Sequence, residues 1–396
     1  MTTKNLLVEL LVEELPPKAL KKLGGAFGAE LFKGLELHNF LEAGASLTTY
    51  ASPRRLAAHI TNVRAMSPEK ERRTKLMPVT SALDANGKPT PALIKKLMGS
   101  LGYHAEVNFE AIIKERVTTE NEGKNEFLFH TDMASGSPLQ VSLESALQES
   151  LTKLPIPKMM MYQLADGWSS VQFVRPAHRL VALHGVDVVP ISILGLQAGR
   201  TTQGHRFEAP SATVVLKNAD SYEAQMEAEG SVIPNFEKRR AEIARQLAAA
   251  AARENLKPIE DDALLDEVTA LVERPNVLVG KFEKEFLEVP PECLILTMKA
   301  NQKYFPLLDN SGKLTNKFLI VSNIRPADAS KVVGGNERVV RPRLADAKFF
   351  FDQDRKKTLA SRVEGLSKVV YHNTLNAFTL RAEPVVIDDF AQTLDA

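Results

Sequence analysis

The chain opens on an apolar run of eight residues, 5–12 (NLLVELLV), and reaches a proline pair, Pro16-Pro17, four residues later. Eight residues is the length of a buried strand and far below the roughly eighteen apolar residues that a membrane-crossing helix needs. The prolines end the run and are favoured at the first turn of a helix. Behind them Leu20, Leu23, Phe27 and Leu31 recur at helical spacing. Residues 46–50 and 56–63 read as two further strands around a Ser52-Pro53 turn. A buried strand that passes through prolines into a helix, and then into two strands, requires a sheet with a helix laid on it.

The same mixture continues. Residues 66–75 are charged and expected to be exposed. Residues 84–91 (DANGKPTP) carry strong turn chemistry and lead into a short helix at 92–98. Residues 107–131 read as a hairpin around 121–125, and 139–154 as an amphipathic helix ended by Pro155 and Pro157. Strands are expected at 171–174 and 188–194, with a helix at 176–183 between them. The alanine-rich stretch 236–256 predicts a long helix and 262–272 another. Residues 276–279 form a short strand, and 293–298 and 318–324 are apolar runs on either side of the Asp309-Asn310-Ser311-Gly312 turn. The expected class is α+β: multidomain mixed sheets with packed helices, ending in a short helical tail. The expected divisions are 1–165, 166–365 and a tail at 366–396.

At 396 residues the chain is too long for one ordinary core. Its N-terminus is acidic within the apolar run and lacks a small-residue cleavage site, so no signal peptide is expected. Cys293 is the only cysteine. An internal disulfide and a multi-cysteine metal site are thereby excluded, and a reducing cytoplasm fits. A net charge of +1 argues against a general polyanion coat, so nucleic acid would be held through patches. There is no phosphate-binding G-x-x-x-x-G-K-[ST], no G-x-G-x-x-G, no G-x-S-x-G elbow and no H-E-x-x-H. No catalytic residue and no metal ligand is assigned.

Four loop-proximal basic motifs remain. Residues 334–351 (GGNERVVRPRLADAKFFF) place Arg338, Arg341, Arg343 and Lys348 within eleven residues, followed by three aromatic rings. Cations beside aromatic faces suit a ligand both anionic and flat. Residues 172–185 carry Arg175 before Pro176, with His178 and Arg179 in the first turn of the expected helix, where free amides would favour an anion. Residues 200–207 (RTTQGHRF) offer Arg200, His205 and Arg206 in a phosphate-contacting loop. Residues 298–306 (MKANQKYFP) bring Lys299, Lys303 and Tyr304. Each motif also has a structural reading. The histidines can be hydrogen-bonded scaffolding, Asn336-Glu337-Arg338 an ion-pair corner, and Tyr304-Phe305 and Phe349 to Phe351 core.

At these motifs the chain resembles the β subunit of the bacterial tetrameric glycyl-tRNA synthetase. The matching segments include ELPPKAL, SPRRLA, FVRPAHRLVALHG, TTQGHRF, LLDEVTALVERPNVLVGKF, VPPECLILTMKANQKYFPL, FLIVSNI and NERVVRPRLADAKFFFDQD, in order from Glu14 to Asp354. SPRRLA adds Arg54 and Arg55 to the candidates. The resemblance implies a tRNA-gripping subunit of an α2β2 glycine–tRNA ligase. ATP and Mg would be used through the class II site of the α subunit, with no cofactor on this chain. It implies tRNA(Gly) and the α subunit as partners, no membrane, and the cytoplasm. The alternative is a stand-alone nucleic-acid-binding or assembly protein derived from that subunit. The family's C-terminal HD-like and anticodon-binding domains are expected to be missing, and the acidic stretch after Leu375 to be unlike the family. The family is usually richer in arginine near 158–163, where KMMMYQ keeps only Lys158.

Overall fold

The N-terminal apolar run forms the first strand, β1 (Thr3–Val12), buried from Leu6 to Val12. The computed structural model describes residues 3–84, 86–104, 106–122, 125–368, 370–372 and 376–377. The chain divides into two units, Met1–Asn235 and Phe236–Ala396.

In the first unit the proline pair starts α1 (Pro17–Leu37), whose stripe Leu20, Leu23, Phe27, Leu31 and Leu35 is buried. It packs on β2 (Leu47–Ser52) and β3 (Arg55–Arg64), which pair antiparallel around the Pro53-Arg54 turn. A Cβ at Gly24 would stand 2.5 Å from the Ala51 Cβ, so helix and sheet approach this closely only because that side chain is missing.

An excursion follows through β4 (Lys70–Pro78), the single turn α2 (Val79–Ala82), α3 (Pro91–Leu101), α4 (Phe109–Arg116), β5 (Val117–Glu122) and β6 (Asn125–Ala134). Its antiparallel sheet, β4-β6-β5, closes on a small core of Leu76, Ala82, Leu93, Leu97 and Leu128. One expectation is met with added detail and one changes here. The charged stretch 66–75 is mostly exposed as expected, and its second half forms the edge strand β4, whose cations have partners: Arg72 pairs with Asp132 at 2.6 Å, and the Lys75 ammonium lies 3.7 Å from the Phe127 ring centre. Residues 109–116 are helical rather than extended, since the Asn108 side chain caps them by accepting from the Ala111 N–H at 3.2 Å. The hairpin itself is present as β5 and β6; residues 123–124 of its turn lie outside the described residues.

Helix α5 (Leu139–Lys153) returns to pack on α1. A two-stranded hairpin, β7 (Met160–Gln163) and β8 (Ser170–Phe173), leads into β9 (Ala177–His184), β10 (Asp187–Val188), β11 (Ser192–Ile193) and β12 (Leu196–Gly199). The main sheet runs β11-β12-β9-β1-β3-β2, with β10 on β9. The expected helix at 176–183 is therefore the strand β9, lying between β1 and β12. Leu180, Val181, Ala182 and Leu183 are all buried, which a two-faced sheet position achieves and a one-striped surface helix does not. The expected strand 188–194 breaks at Pro190 into two short pieces. Finally β13 (Thr201–Gln203), β14 (Thr213–Val215) and α6 (Tyr222–Ala228) lead across the face opposite α1, where Leu7, Val181 and Leu183 meet Leu216, Tyr222 and Met226.

The division expected at 165/166 does not hold. β9 pairs with β1 from Leu6↔His184 to Leu11↔Arg179, so the pieces on both sides of it share one core. The break falls at 235/236 instead.

The second unit comprises α7 (Phe236–Arg253), β15 (Lys257–Pro258), α8 (Asp262–Thr269), β16 (Asn276–Lys281), α9 (Pro291–Thr297), β17 (Phe305–Leu308), β18 (Leu314–Ser322) and α10 (Ala329–Asp354). A short 3-10 helix, Ala360–Lys368, follows. The antiparallel sheet β15-β17-β18-β16 lies between two helical layers, and β18 shows why. Leu319 faces Ile243, Leu247 and Val268 of α7 and α8, while Phe318 and Ile320 face Leu294, Val340 and Leu344 of α9 and α10. The turn between β17 and β18 is built as its sequence predicts. Asp309 Oδ1 accepts from the Ser311 and Lys313 N–H groups, both at 2.9 Å, and Gly312 takes φ +82°. The expected loop at 334–351 is instead the body of α10. Asp328 caps it, Val340 and Leu344 anchor it, and Pro342 sits on its exposed side, where a lost backbone hydrogen bond is open to water. Of the expected tail 366–396, only 366–368, 370–372 and 376–377 are within the described residues.

Two buried histidines make the first unit sensitive to acid. His184 Nε2 donates to the Val63 carbonyl at 2.9 Å, and burial, reinforced by Lys4, holds its pKa below the ordinary value. Burial does the same to His130, which lies 2.9 Å from the Tyr103 hydroxyl. The unfolded chain takes up these protons more readily, so stability is intact above the unfolded value of about 6.5 and is lost as pH falls below it. Urea midpoints followed by circular dichroism should drop between pH 7 and 5.5. A His130→Gln/His184→Gln variant should show a shallower drop; an equal slope would assign the acid sensitivity elsewhere.

Candidate functional site

Two of the basic segments meet inside the first unit. Arg55, at the start of β3, has a fully buried side chain. Its Nη2 donates to the Gln203 carbonyl at 2.7 Å, its Nη1 to Ser52 Oγ at 3.2 Å, and its Nε lies 3.6 Å from Glu9 Oε2. Glu9 is the one acid of β1 and also accepts from the Tyr222 hydroxyl. Arg54 Nη2 donates to the Gly204 carbonyl at 3.1 Å. His205 is buried, and its Nδ1 accepts from the backbone N–H groups of Phe207 and Glu208, each at 3.2 Å. Arg54, Arg55 and His205 thus hold the 200–207 loop from within and do not face solvent. Arg200 and Arg179 are half-buried and support the same region: Arg200 donates to the Val186 carbonyl at 2.8 Å, and Arg179 to Thr201 Oγ1 at 3.0 Å.

What this scaffold presents outward is a small cluster at the end of β1. Glu13 holds His178 Nε2 at 3.0 Å and Arg206 Nη2 at 2.9 Å. Burial pushes the Glu13 carboxyl up, but the bonds and charge of Arg206 and His178 outweigh it and hold the group below the usual carboxylate range. Arg175 is pinned by donating to the Glu14 carbonyl at 3.0 Å and the Val174 carbonyl at 2.9 Å. Phe207 stands beside Arg206, 80% exposed. The anion site expected at a helix N-terminus is absent, because residues 177–184 are a strand whose amides enter the sheet ladder.

In the second unit most of the candidate cations are committed. Lys299 pairs with Asp261, and Lys303 with Glu267 at 3.1 Å. Tyr304 is buried, its ring 4.7 Å from that of Phe318, and it donates to Asn336 Oδ1 at 2.7 Å. Burial has pushed its phenol up to about 12. It packs as core and has no face open for a base.

On α10, Asn336 and Glu337 turn inward, Glu337 accepting from the Lys281 N–H at 3.0 Å. Arg341 pairs with Glu283 at 2.5 Å, and Lys348 with Glu288 and Asp352, each at 3.2 Å. Arg338 and Arg343 are different. Both are exposed, and neither makes an ion pair with a described residue. Helical spacing puts Phe349 on the stripe of Arg338, eleven residues on, and Phe350 on that of Arg343, seven residues on. These two rings are 57% and 64% exposed, with centroids 5.5 Å apart. The exposed surface of α10 therefore carries uncommitted cations, which can neutralise phosphate, and, two to three turns further along, open aromatic faces, which can stack on a flat group.

The profile of the family described as glycyl-tRNA synthetase beta subunit matches residues 6–390. The chain belongs to that family. A glycine–tRNA ligase beta subunit from Thiobacillus denitrificans is 66% identical over 375 residues, covering 95% of this chain and 52% of the relative. One from Dechloromonas aromatica is 64% identical over 381 residues, covering 95% and 53%. One from Leptothrix cholodnii is 64% identical over 385 residues, covering 97% and 53%. The chain spans about half the length of the curated relatives it matches. The glycyl-tRNA synthetase beta subunit match reaches residue 390, so it includes most of the stretch after Leu375 that was expected to be unlike the family.

Sequence reasoning missed three residues that the structure brings forward in this member of the beta subunit family, two of which organise the site. Glu9 and Glu13 each carry a detectable signal, an acid set inside or just after an apolar strand. The third, Trp168, is the chain's only tryptophan and is 91% exposed. Among the described residues, no helix is long and apolar enough to cross a membrane and no group of three or more metal-ligating side chains gathers.

Proposed function

We propose that this chain supplies the tRNA-binding and α-docking part of a glycine–tRNA ligase β subunit, working in the cytoplasm as part of an α2β2 assembly. Glycine activation, with ATP and Mg, belongs in this reading to the α subunit. This chain's role is positional: it holds tRNA(Gly) so that the acceptor end meets an active site on another chain. The observation that carries the reading is the solvent-exposed surface of α10, where Arg338 and Arg343 are exposed without an ion pair to a described residue and Phe349 and Phe350 are open to solvent two to three turns further along the helix. Recognition there would follow shape and backbone, since side chains do not read the narrow major groove of A-form RNA.

The test is tRNA(Gly) binding by fluorescence anisotropy across a salt series. Arg338→Ala/Arg343→Ala should weaken binding and reduce the salt slope by about 1.8, or roughly 0.9 for each duplex phosphate that is no longer neutralised. Its thermal melt should match the parent. Arg341→Ala/Lys348→Ala removes cations already paired to Glu283, Glu288 and Asp352 and should change the slope less. An unchanged slope in the first variant would remove α10 from the RNA surface.

A further inference from the structure

Gly334 and Gly335 are a glycine pair in the interior of the 26-residue helix α10, and nothing inside the protein calls for them. A glycine at such a position weakens the helix relative to alanine, because its backbone is freer in the unfolded chain. Elsewhere in the chain packing supplies the reason. Gly24, Gly28 and Gly34 of α1 are such cases: a Cβ at each would stand within 2.8 Å of Ala51, Thr49 or Ala146. On α10 that reason is missing. Among the described residues, a Cβ on Gly334 would meet only the Arg338 guanidinium, with Nη1 at 3.6 Å, and one on Gly335 only its Nη2, at 4.0 Å. Both are ordinary contacts with the end of a flexible side chain. Neither glycine takes the positive φ that other residues resist. The backbone is left bare here without a need of the fold.

The pair also lies between two cations. Helical spacing puts Lys331 one turn before it and Arg338 one turn after, about 10 Å apart along the axis. Both are exposed, and neither makes an ion pair with a described residue. The Arg338 guanidinium reaches back over both glycines. The same stripe runs on to Pro342 and Phe349, on the side opposite the buried Val340 and Leu344, and carries no acid. Gly25 and Gly99 also have open space around them in their helices, but neither has a cation one turn away on both sides.

We infer that Gly334 and Gly335 are the seat on which an RNA sugar–phosphate backbone lies against α10, with Lys331 and Arg338 closing on its phosphates; this rests on the proposed function and gives it a place of contact. The missing side chains decide the class of ligand. An acidic side chain reaches a guanidinium on its own stem and needs no bare surface beneath it. A phosphodiester is part of its polymer's main chain, so the flanking sugars must come down with it, and a methyl group at either position holds them off. Helix stability is given up for close approach, the usual conflict between stability and function at a binding surface. The two cations have no carboxylate of their own to release, so phosphates that enter between them gain the full effect of counterion release.

A Gly334→Ala/Gly335→Ala variant gives two readouts of opposite sign. It should melt above the parent, since alanine favours the helix and has room there, and it should bind tRNA(Gly) at least tenfold more weakly by fluorescence anisotropy. Lys331→Ala in the parent should reduce the salt slope by about 0.9. In the double-alanine background the same change should reduce it less, because the RNA backbone no longer reaches Lys331. A stabilised variant that binds tRNA(Gly) like the parent overturns the seat but leaves the proposed function standing, since Arg338→Ala/Arg343→Ala tests that separately. A variant that melts lower overturns it too, because the glycines would then serve the fold. A variant that keeps its tRNA binding and loses a complex with the α subunit, read by light scattering, assigns the seat to a protein partner and overturns it as well. If the parent chain binds no tRNA(Gly), the proposed function falls, and the inference with it.

Discussion

Replacing Arg55 with alanine should lower the stability of the first unit by about 3–5 kcal/mol, the range for stripping one partner from a buried ion pair. The guanidinium is fully buried and joins two segments distant in sequence, Glu9 of β1 and the carbonyl of Gln203, together with Ser52 at the adjoining end of β2. Its removal leaves the Glu9 carboxylate inside the protein beside the neutral Tyr222 hydroxyl, and leaves a carbonyl unanswered. Urea denaturation read at a probe within Met1–Asn235 should show the midpoint fall without a matching fall in the second unit. A Glu9→Gln/Arg55→Met variant should recover part of the stability, because the stranded charge carries most of the cost. A single-mutant effect below about 1 kcal/mol would mean that water reaches Glu9 and that the pair is not a buried one. The 200–207 loop should also loosen, with faster amide exchange at Gly204 and His205, since Arg54 and Arg55 hold the two carbonyls just before it turns.

Tyr304→Ala should cost about 3–5 kcal/mol in the second unit, the range for emptying a buried aromatic site. Tyr304→Phe should cost only about 1 kcal/mol, for the hydrogen bond to Asn336. The ring packs at 4.7 Å on Phe318 in the layer that also holds Leu294, Val340 and Leu344, so removing it undermines the seat of α10. The pair of variants separates a core role from an RNA-binding one. If Tyr304 is core, the phenylalanine variant binds tRNA(Gly) like the parent while the alanine variant unfolds at lower denaturant. A base-stacking role would instead show the alanine variant losing RNA affinity at unchanged stability. The phenol should also resist ionisation to a higher pH than a free tyrosine, in keeping with a value of about 12. An ultraviolet titration should see it ionise only as the second unit unfolds.

Much of the fold was legible wherever a segment's own chemistry decides its structure. Pro16-Pro17 with the Leu20 to Leu31 stripe announced α1; the alanine-rich run announced α7; Asp309 and Gly312 announced the turn before β18. The failures share one cause. Residues 180–183 form an apolar run that suits a helix stripe and a buried strand equally, and pairing with β1 makes it a strand. Residues 334–351 read as a loop-proximal motif, yet α10 runs through Gly334, Gly335 and Pro342, because Val340 and Leu344 bury a single stripe and Pro342 faces water.

The candidate site divides along the same line. Which residues are basic, which stretches combine cations with rings, and which family the chain belongs to all follow from residue order, because composition and motif are local properties. Which cations are available does not. Arg54, Arg55, Arg338 and Arg343 are indistinguishable as letters, but the first two donate to loop carbonyls in the interior while the last two stand in solvent. A guanidinium's role depends on whether a carbonyl or carboxylate from a remote segment reaches it, and those segments, up to 150 residues away for Arg54, are brought together only by the packing of the sheet.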